Sequence, residues 1–243
     1  EIYQCDWSSD VCSSDLNDDK DQFIRILGHD LRTPFNSLIG FSSLLLEYLY
    51  EYDLKQIEDQ VKIINQTSLK TYELLEQILL WIKSQSGKLE LNIEQFDFQQ
   101  ESTNVVQTIE NVAATKGIQI DIIETGKICL SADLNIFKTV LRNLISNAIK
   151  FTNQNGHIII SAEKKEKSLL VAVSDNGIGM DEEVMANLWD IKNYYSSKGT
   201  NGEDGTGFGL KLCKELIEKH GGKIWAESVP NKGSKFIFSL AIL

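Results

Sequence analysis

Apolar residues recur at spacings of three, four and seven positions from Asp18 onward, which predicts a long amphipathic helix. Its apolar stripe is formed by Phe23, Ile26, Leu27, Leu31, Leu38, Phe41 and Leu45. A second helix is predicted after a short turn near Tyr52-Asp53. Its apolar positions are Leu54, Ile57, Val61, Ile64, Leu75, Ile78 and Ile82. Because the connection is so short, we expect the two helices to lie antiparallel.

The predicted hairpin covers residues 17–87 and ends at Ser86-Gly87-Lys88. A single hairpin of this kind cannot bury the apolar stripes of both helices. A homodimer, in which two hairpins form a four-helix bundle, would bury them. The first half of the prediction is therefore an all-α, dimeric helical hairpin.

The pattern changes to shorter apolar runs after residue 87. Strand-like runs are Glu94–Phe98, Ile118–Ile123, His157–Ala162, Leu169–Ser174, Lys223–Glu227 and Lys235–Leu243. Helical segments between them are Gln99–Ala114, Asp133–Lys150 and Phe208–His220. This alternation predicts a two-layer α/β sandwich over residues 88–243, with a mixed sheet covered by helices on one face.

Composition narrows the functional classes. The net charge of −11 argues against nucleic-acid binding, because a phosphate backbone would be repelled. The four cysteines lack the spacing of a disulfide framework or a zinc site. No run approaches the roughly 18 apolar residues of a membrane helix. We therefore expect a cytoplasmic segment, with membrane contact only through a missing upstream region if at all.

Residues 6–16 have neither a helical nor a strand period, and they resemble the translation of a common sequencing-adapter oligonucleotide. We interpret residues 1–16 as an artefact of sequence assembly and exclude them from the fold. On this interpretation an upstream sensory domain is missing. A genuine polar linker is the alternative.

The first candidate site surrounds His29. Pro34 cannot donate to the carbonyl of Asp30, so the helix is expected to bend there at a cost of about 3 kcal/mol. The Asp30 carboxylate could take the proton from one ring nitrogen of His29 and leave the other as a nucleophile. Thr33 lies four residues further along the same face and could position a water molecule. A surface histidine beside a proline kink is the alternative.

The second candidate site lies on the predicted helix Asp133–Lys150. Asn143 and Asn147 are four residues apart, so both amides project from one face, and Lys150 follows one turn later. Amide oxygens are hard ligands suited to Mg²⁺ on a nucleotide, and a lysine offsets phosphate charge. A pair of solvated asparagines is the alternative.

The third candidate site follows a strand that ends at Asp175. This carboxylate could accept a hydrogen bond from an adenine amino group, while Gly177 and Gly179 would let the backbone approach the base. The same residues also form a good turn, which is the alternative.

The fourth candidate site is Gly205-Thr206-Gly207-Phe208-Gly209-Leu210, where a helix begins. Three glycines at alternate positions suit a loop that offers backbone N–H groups and a helix amino terminus to phosphates. The polar segment 193–204 before it is typical of a mobile lid. A glycine-rich loop alone is weak evidence of nucleotide binding.

In this order and at these separations, the four sites resemble the H, N, G1 and G2 boxes of sensor histidine kinases. The resemblance extends over Asp21–Leu243 and includes the closing sequences around Trp225 and Phe236. It implies a dimerisation and phosphotransfer hairpin followed by a Bergerat-type ATP-binding domain. The implied activity is phosphorylation of His29 from Mg²⁺-ATP and transfer of the phosphoryl group to an aspartate of a response-regulator receiver domain.

The resemblance also implies residue roles in the hairpin. His29 would be the phospho-acceptor and Asp30 the carboxylate that activates it. The Thr33 hydroxyl would help to dephosphorylate the partner. We expect His157 and His220 to be structural.

In the ATP-binding domain, the resemblance implies that Asn147 is the Mg²⁺ ligand, supported by Asn143, and that Lys150 contacts phosphate. Asp175 would bind adenine above Gly177 and Gly179. The glycine-rich motif would contact the nucleotide and form the hinge of its lid through Gly205, Thr206, Gly207, Phe208, Gly209 and Leu210.

One departure concerns the usual phenylalanine-rich segment, where Trp189 stands in an aromatic position; this puts docking of the lid in doubt. Three alternatives remain for the function. They are another ATPase of the same nucleotide-binding superfamily, a degenerate kinase that acts as a scaffold, and an enzyme whose phosphatase activity dominates.

Overall fold

The computed structural model describes residues 28, 31–86, 89–124, 126–165, 168–189, 198–203 and 207–241. The chain divides into two compact units, with the boundary between Leu80 and Trp81. The first unit is helical and the second combines helices with a sheet. No helix among the described residues combines the length and the apolar character that crossing a membrane requires.

The helical unit consists of α1 (residues 31–48) and most of α2 (Leu54–Gln85). The turn between them begins where the N–H groups of Glu51 and Tyr52 donate to the carbonyl of Tyr48 at 2.9 and 3.0 Å. Helix α2 then begins with a reciprocal cap. The Gln56 N–H donates to Asp53 Oδ1 at 2.8 Å, and the Asp53 N–H donates to Gln56 Oε1 at 2.9 Å. These bonds satisfy backbone donors that a helix start leaves unpaired.

Only part of the predicted apolar stripe of α2 is covered within the protomer. Ile57 and Ile64 are half-buried and Ile78 is buried. The other predicted positions are exposed, and they are Leu54, Val61, Leu75 and Ile82. The helix therefore carries two apolar surfaces, one facing its own unit and one facing outward.

The second unit contains the remaining helices and all the described strands. The strands are β1 (Ile93–Asp97), β2 (Gln119–Glu124), β3 (Cys129–Asp133), β4 (His157–Lys164), β5 (Ser168–Asp175), β6 (Ile224–Val229) and β7 (Gly233–Ala241). The helices are α3 (Phe98–Thr115), α4 (Leu134–Phe151), α5 (Glu182–Asn187) and α6 (Gly209–Lys219). Every element predicted for this unit is present, with ends within two residues of the prediction.

The main sheet has five strands in the order β2-β4-β5-β7-β6. The β2–β4 pair is parallel and the others are antiparallel, so the predicted mixed sheet is confirmed. Strands β1 and β3 form a separate antiparallel pair in which Phe96 lies opposite Leu130. The sequence prediction missed β3 and the six-residue helix α5.

Helix α4 forms the centre of the core. Its amino terminus is capped by Asp133, whose Oδ1 accepts hydrogen bonds from the N–H groups of Asn135 and Ile136 at 3.0 Å. Phe137 is 1% exposed, and its ring packs near those of Phe96, Phe98 and Phe238, with centroids 5.1, 6.2 and 6.4 Å away. This packing fixes the position of the helix, and with it the polar residues at its other end.

Candidate functional site

The candidate motifs of the second unit lie along the carboxyl-terminal half of α4. The last carbonyls of a helix have no partner within the helix, so other segments must satisfy them. The Phe151 carbonyl accepts a hydrogen bond from the Ile178 N–H at 3.1 Å, and the Lys150 carbonyl accepts one from the Thr200 N–H at 3.0 Å. The loop after β5 and the segment 198–203 are thus both attached to this helix end.

Asp175, at the end of β5, is held by backbone groups. Its Oδ1 accepts hydrogen bonds from the N–H groups of Gly177 at 2.8 Å and Ser234 at 3.2 Å. Burial raises the pKa of the Asp175 carboxyl above its ordinary value, although these two hydrogen bonds act in the opposite direction. Among the described residues, no hydrogen bond is found for Oδ2. That oxygen is therefore available to accept a hydrogen bond from a ligand.

The glycines around Asp175 allow backbone segments to touch. A Cβ at Gly177 would lie 2.2 Å from the Phe151 carbonyl oxygen. Gly179 has φ +66°, and a Cβ there would lie 2.1 Å from the carbonyl oxygen of Val229. Both positions therefore exclude larger residues, because protein backbone fills the space that a side chain would need; the predicted approach to a base stays a prediction.

Gly233 and Ser234 belong to the same site but were not singled out from the sequence. Gly233 has φ +100°, and a Cβ there would lie 1.9 Å from the Asp175 carbonyl oxygen. Ser234 donates to the Asp175 carboxylate through its N–H. The only local signal is the turn around Asn231, because the contact with Asp175 spans 59 residues.

Asn143 and Asn147 lie on α4, and both side chains are half-buried. Asn143 Nδ2 donates to the Thr139 carbonyl at 2.9 Å, and its Oδ1 would lie 2.7 Å from a Cβ at Gly209. The fold thus brings Asn143 against the first residue of α6. No hydrogen bond of the Asn147 amide is found within the described part of the chain, which leaves its oxygen available to a ligand.

Lys150, on the last turn of α4, is half-buried, and its ammonium lies 4.8 Å from the centroid of the Phe151 ring. This geometry is a cation–π contact. It keeps a positive charge at the end of the helix that also carries Asn147.

The glycine-rich motif is described in part. Gly207 has φ +58°, and Gly209 and Leu210 begin α6. The Phe208 side chain is 3% exposed and packs edge-on against Trp81, with ring centroids 6.3 Å apart. Phe208 therefore contributes to the core, and any contact it makes with a ligand would go through its backbone. Gly205 and Thr206 lie outside the described residues.

The candidate residues of the hairpin are mostly beyond the described part of the chain, which omits His29 and Asp30. Thr33 is described and lies exposed on α1. The bend predicted at Pro34 involves the carbonyl of Asp30, so it too lies outside the described residues.

The other two histidines make structural contacts. His157 Nε2 and Asp121 Oδ2 are 2.8 Å apart, joining β4 to β2. The hydrogen bonds from His157 and Gln119 lower the pKa of Asp121. His220 Nε2 is buried and accepts a hydrogen bond from the Asp133 N–H at 3.1 Å.

A metal ion at this site would need ligands beyond the protein. Within the described residues, no three His, Cys, Asp or Glu side chains are placed to hold a metal ion. The half-buried Asn147 amide offers one hard oxygen, and Lys150 lies on the next turn. This donor set fits an Mg²⁺ ion that takes its other ligands from phosphates and water.

Comparison with known proteins follows the division of the chain. Residues 19–87 match the family model of the His Kinase A (phospho-acceptor) domain, and residues 132–242 match that of the histidine kinase-, DNA gyrase B- and HSP90-like ATPases. The circadian input-output histidine kinase CikA of Synechococcus elongatus is 31% identical over 220 residues, covering 89% of this chain and 29% of CikA. The chain spans less than two thirds of the length of the curated relatives it matches.

Two solved structures are similar as well. The catalytic domain of histidine kinase ThkA is 30% identical with a TM-score of 0.55, over 62% of this chain and 96% of that chain. ThkA in complex with the response regulator protein TrrA is 25% identical with a TM-score of 0.63, over 91% of this chain and 61% of that chain.

Proposed function

We propose that this chain, which belongs to the histidine kinase family, binds Mg²⁺-ATP in its α/β unit and transfers the γ-phosphoryl group to its own His29. The observation that carries this proposal is that three separated motifs meet along the carboxyl-terminal half of α4. The turn after Asp175 is bonded to the Phe151 carbonyl, Gly209 packs against Asn143, and Asn147 stands on α4 between Asn143 and Phe151. Such preorganisation favours binding of one ligand shape.

Adenine would bind at the Asp175 end of the site. Asp175 Oδ2, for which no hydrogen bond from the described residues is found, would accept a hydrogen bond from the adenine amino group. Gly177 and Gly179 would support the base indirectly, because they allow the turn after Asp175 to pack against the backbone of Phe151 and Val229. Burial of the carboxylate strengthens this hydrogen bond, because competing water is excluded.

The phosphates would lie toward the other residues of α4 and the start of α6. Asn147 would hold Mg²⁺ with Asn143 in support, and Lys150 would contact the phosphates. When bound, Mg²⁺ offsets the negative charge of the phosphate oxygens. The glycine-rich motif, from Gly205 through Thr206 and Gly207 to Gly209, would offer backbone N–H groups to the phosphates.

At His29, one ring nitrogen would form a bond to the γ-phosphorus while the bond from phosphorus to the β–γ bridging oxygen breaks and ADP leaves. Asp30 would accept the proton of the other ring nitrogen in a hydrogen bond and stabilise the charged ring. The phosphoryl group would then pass to a carboxylate oxygen of an aspartate. ThkA is found with a response regulator protein, so we infer a response-regulator receiver domain as the partner. Thr33 would position water for dephosphorylation of that partner.

The hairpin, residues 17–87, would form a homodimer through the outward apolar surface of α2, and residues 88–243 would form the ATP-binding domain. The last turn of α2 nevertheless packs with the second unit, since the boundary between the compact units lies at residue 80. Val61 and Leu75 are 50% and 42% exposed. Exposed apolar side chains do not stabilise a single protomer by burial, so they support a dimer interface on this surface.

The test is incubation of the chain with γ-labelled ATP and Mg²⁺. We expect acid-labile, alkali-stable label on the wild type and none on His29→Gln. His157→Gln is the matched control and should keep its label, because His157 lies in β4 and its ring contacts Asp121 of β2. Label that persists in His29→Gln would disprove the assignment of the phospho-acceptor.

The metal ligand needs a separate variant. Asn147→Ala should lose labelling while the protein keeps its dimer and its circular dichroism spectrum. Undiminished labelling of this variant would show that Asn147 is not the metal ligand.

A further inference from the structure

Lys116 is a buried cation that the proposed function does not use. It follows α3 directly, and the residue is 4% exposed. Its Nζ donates to the carbonyls of Ile149 at 2.8 Å, Lys150 at 3.1 Å and Thr152 at 3.3 Å. An ammonium at a helix carboxyl terminus satisfies unpaired carbonyls and interacts favourably with the helix dipole. Burying a charged group costs free energy, however. A neutral hydrogen-bond donor could cap the helix without this cost, so the lysine calls for a further reason.

The other partners of Lys116 come from the segment 198–203. Its Nζ donates to Thr200 Oγ1 at 2.7 Å and forms an ion pair with Glu203 Oε1 at 2.6 Å. Thr200 Oγ1 donates in turn to the Thr152 carbonyl at 2.8 Å. The ammonium therefore joins this segment to the carboxyl end of α4 through both a hydroxyl and a carboxylate.

The segment itself is folded around Glu203. The Gly199 N–H donates to the Glu203 carbonyl at 2.8 Å, and the Asn201 N–H donates to Glu203 Oε2 at 2.8 Å. A Cβ at Gly199 would lie 2.3 Å from Glu203 Oε2 and 2.8 Å from the Lys150 carbonyl oxygen. Residues 198–203 have no helix or strand of their own. Their position accordingly depends on these contacts.

The charge state of the pair supports this geometry. Burial raises the pKa of the Glu203 carboxyl, but the hydrogen bond from Lys116 and the backbone N–H groups outweigh burial, and the pKa ends below its ordinary value. Glu203 is therefore ionised at neutral pH beside the Lys116 ammonium.

We propose that Lys116 is a positioning residue for nucleotide binding: it holds residues 198–203, the described segment that precedes the glycine-rich motif in the chain, against the end of α4 that carries Lys150. The inference rests on the proposed function, because it assumes that nucleotide binds between α4 and that motif. The physical reason is preorganisation. Fixing the segment before the nucleotide arrives removes part of the ordering cost from the binding step.

Isothermal titration of ATP with Mg²⁺ tests this proposal on the full chain. We expect Lys116→Met to raise the Kd by about ten- to hundredfold, the range set by lost charge-assisted hydrogen bonds. Lys138→Met is the matched control. It removes a different ion pair of the α/β unit, Lys138 Nζ on α4 to Glu101 Oε2 on α3 at 2.7 Å, and should leave the Kd unchanged within about twofold.

A double-mutant cycle separates positioning from stability. Glu203→Gln alone should raise the Kd by less than Lys116→Met, and the double variant should be no weaker than Lys116→Met, because both changes break one contact. Labelling of His29 should show a raised KM for ATP with kcat nearly retained, because the chemical groups are untouched. Fully additive effects would overturn the proposal. So would a folded Lys116→Met protein with a lower melting temperature and an unchanged Kd.

If Lys116→Met does not fold, Thr200→Val and Glu203→Gln carry the test, since the Glu203 side chain is 37% exposed and tolerates change. Unchanged Kd values in both variants would overturn the proposal. Absence of ATP binding by the wild type would instead overturn the proposed function, so the two failures are distinguishable.

Discussion

The hairpin and the α/β unit solve the problem of burial in opposite ways. In the α/β unit, side chains such as Phe98, Phe137 and Phe238 are at most 1% exposed. In the hairpin, Leu46 and Leu54 are 80% and 86% exposed. The α/β unit thus completes its own core, whereas the hairpin leaves a large apolar surface outside.

The difference follows from the kind of backbone pairing each region uses. A helix satisfies its hydrogen bonds locally, so α2 can form along 32 residues without closing a core around itself. A sheet pairs distant segments, and its strands bury their faces only when helices cover them. The hairpin is consequently suited to contact other proteins through its surface, and the α/β unit to hold a small ligand in a fixed site.

The largest expected effect is in the core of the α/β unit. Phe137→Ala should destabilise the protein by about 3–5 kcal/mol, because the ring is fully buried among three other aromatic rings and leaves a cavity. The free energy of unfolding in urea measures this. Leu46→Ala, at an exposed position of the hairpin, is the control. If Phe137→Ala lowered the free energy of unfolding no more than Leu46→Ala, the contrast between the two regions would be wrong.

The next effect concerns the hairpin surface. Val61→Glu or Leu75→Glu should weaken the homodimer by at least about a hundredfold, since a charge would be buried in an apolar interface. Sedimentation velocity at several concentrations measures the dimer, and circular dichroism should show unchanged helix content. Glu58→Gln, which changes an exposed residue paired with Lys62 on the same helix, should leave the dimer intact. A dimer that survives both apolar substitutions would show that this face is not the interface.

A smaller effect on stability is expected at Asp175, a buried carboxylate that the proposed function uses to bind adenine. The pKa of Asp175 is raised in the folded state, so the folded protein binds this proton more tightly than the unfolded chain. The carboxylate therefore costs stability above its folded pKa, and this cost disappears as the pH falls through that pKa. Asp175→Asn should keep or increase stability at pH 7 while ATP affinity falls at least about tenfold.

Urea unfolding between pH 7 and pH 4 and titration with ATP measure both quantities. Asp181→Asn, which changes a helix cap after the same turn, is the control for affinity. If the wild type and Asp175→Asn bound ATP with equal affinity, the proposed contact between Asp175 and adenine would be wrong.

The smallest effect should come from the ion pair between α3 and α4. Lys138→Met should cost less than about 1 kcal/mol, because the lysine side chain is 38% exposed and water screens the pair. The hydrogen bond from Lys138 holds the pKa of Glu101 below its ordinary value. The contribution is therefore present above the unfolded pKa and is lost as the pH falls through the folded pKa. Urea denaturation at pH 7 should show a lower free energy of unfolding for Lys138→Met than for the wild type. This difference should vanish in acid.

Much of the fold was predictable because its signals are local. The helices α3, α4 and α6 have clear apolar periods, and the strands of the main sheet are apolar runs bounded by turns. The prediction failed for β3 and α5, which are short. Strand β3 has five residues and ends at the residue that caps α4, and α5 has six residues, none of them buried. Length is only part of the reason for β3, because β1 also has five residues and was predicted.

The candidate site divides in the same manner. Asp175 and Asn147 were predictable because they stand in motifs with characteristic spacing. Lys116 was not, because a lysine at the end of a helix ordinarily extends into water, and its partner Thr200 lies 84 residues away. Gly233 was not predicted for a similar reason, since its close approach to Asp175 depends on how β7 pairs with β5.

By itself the sequence determined the family, the order of the two domains and the residue types available for chemistry, because all of these depend on neighbours along the chain. The tertiary structure decided which of those residues share a site. It placed the turn after Asp175 against the end of α4 and Gly209 against Asn143 of the same helix, and it enclosed the Lys116 ammonium between α4 and the segment before the glycine-rich motif. Such contacts join segments far apart in the chain, and burial and charge at those points are set only when the whole sheet and its helices have packed.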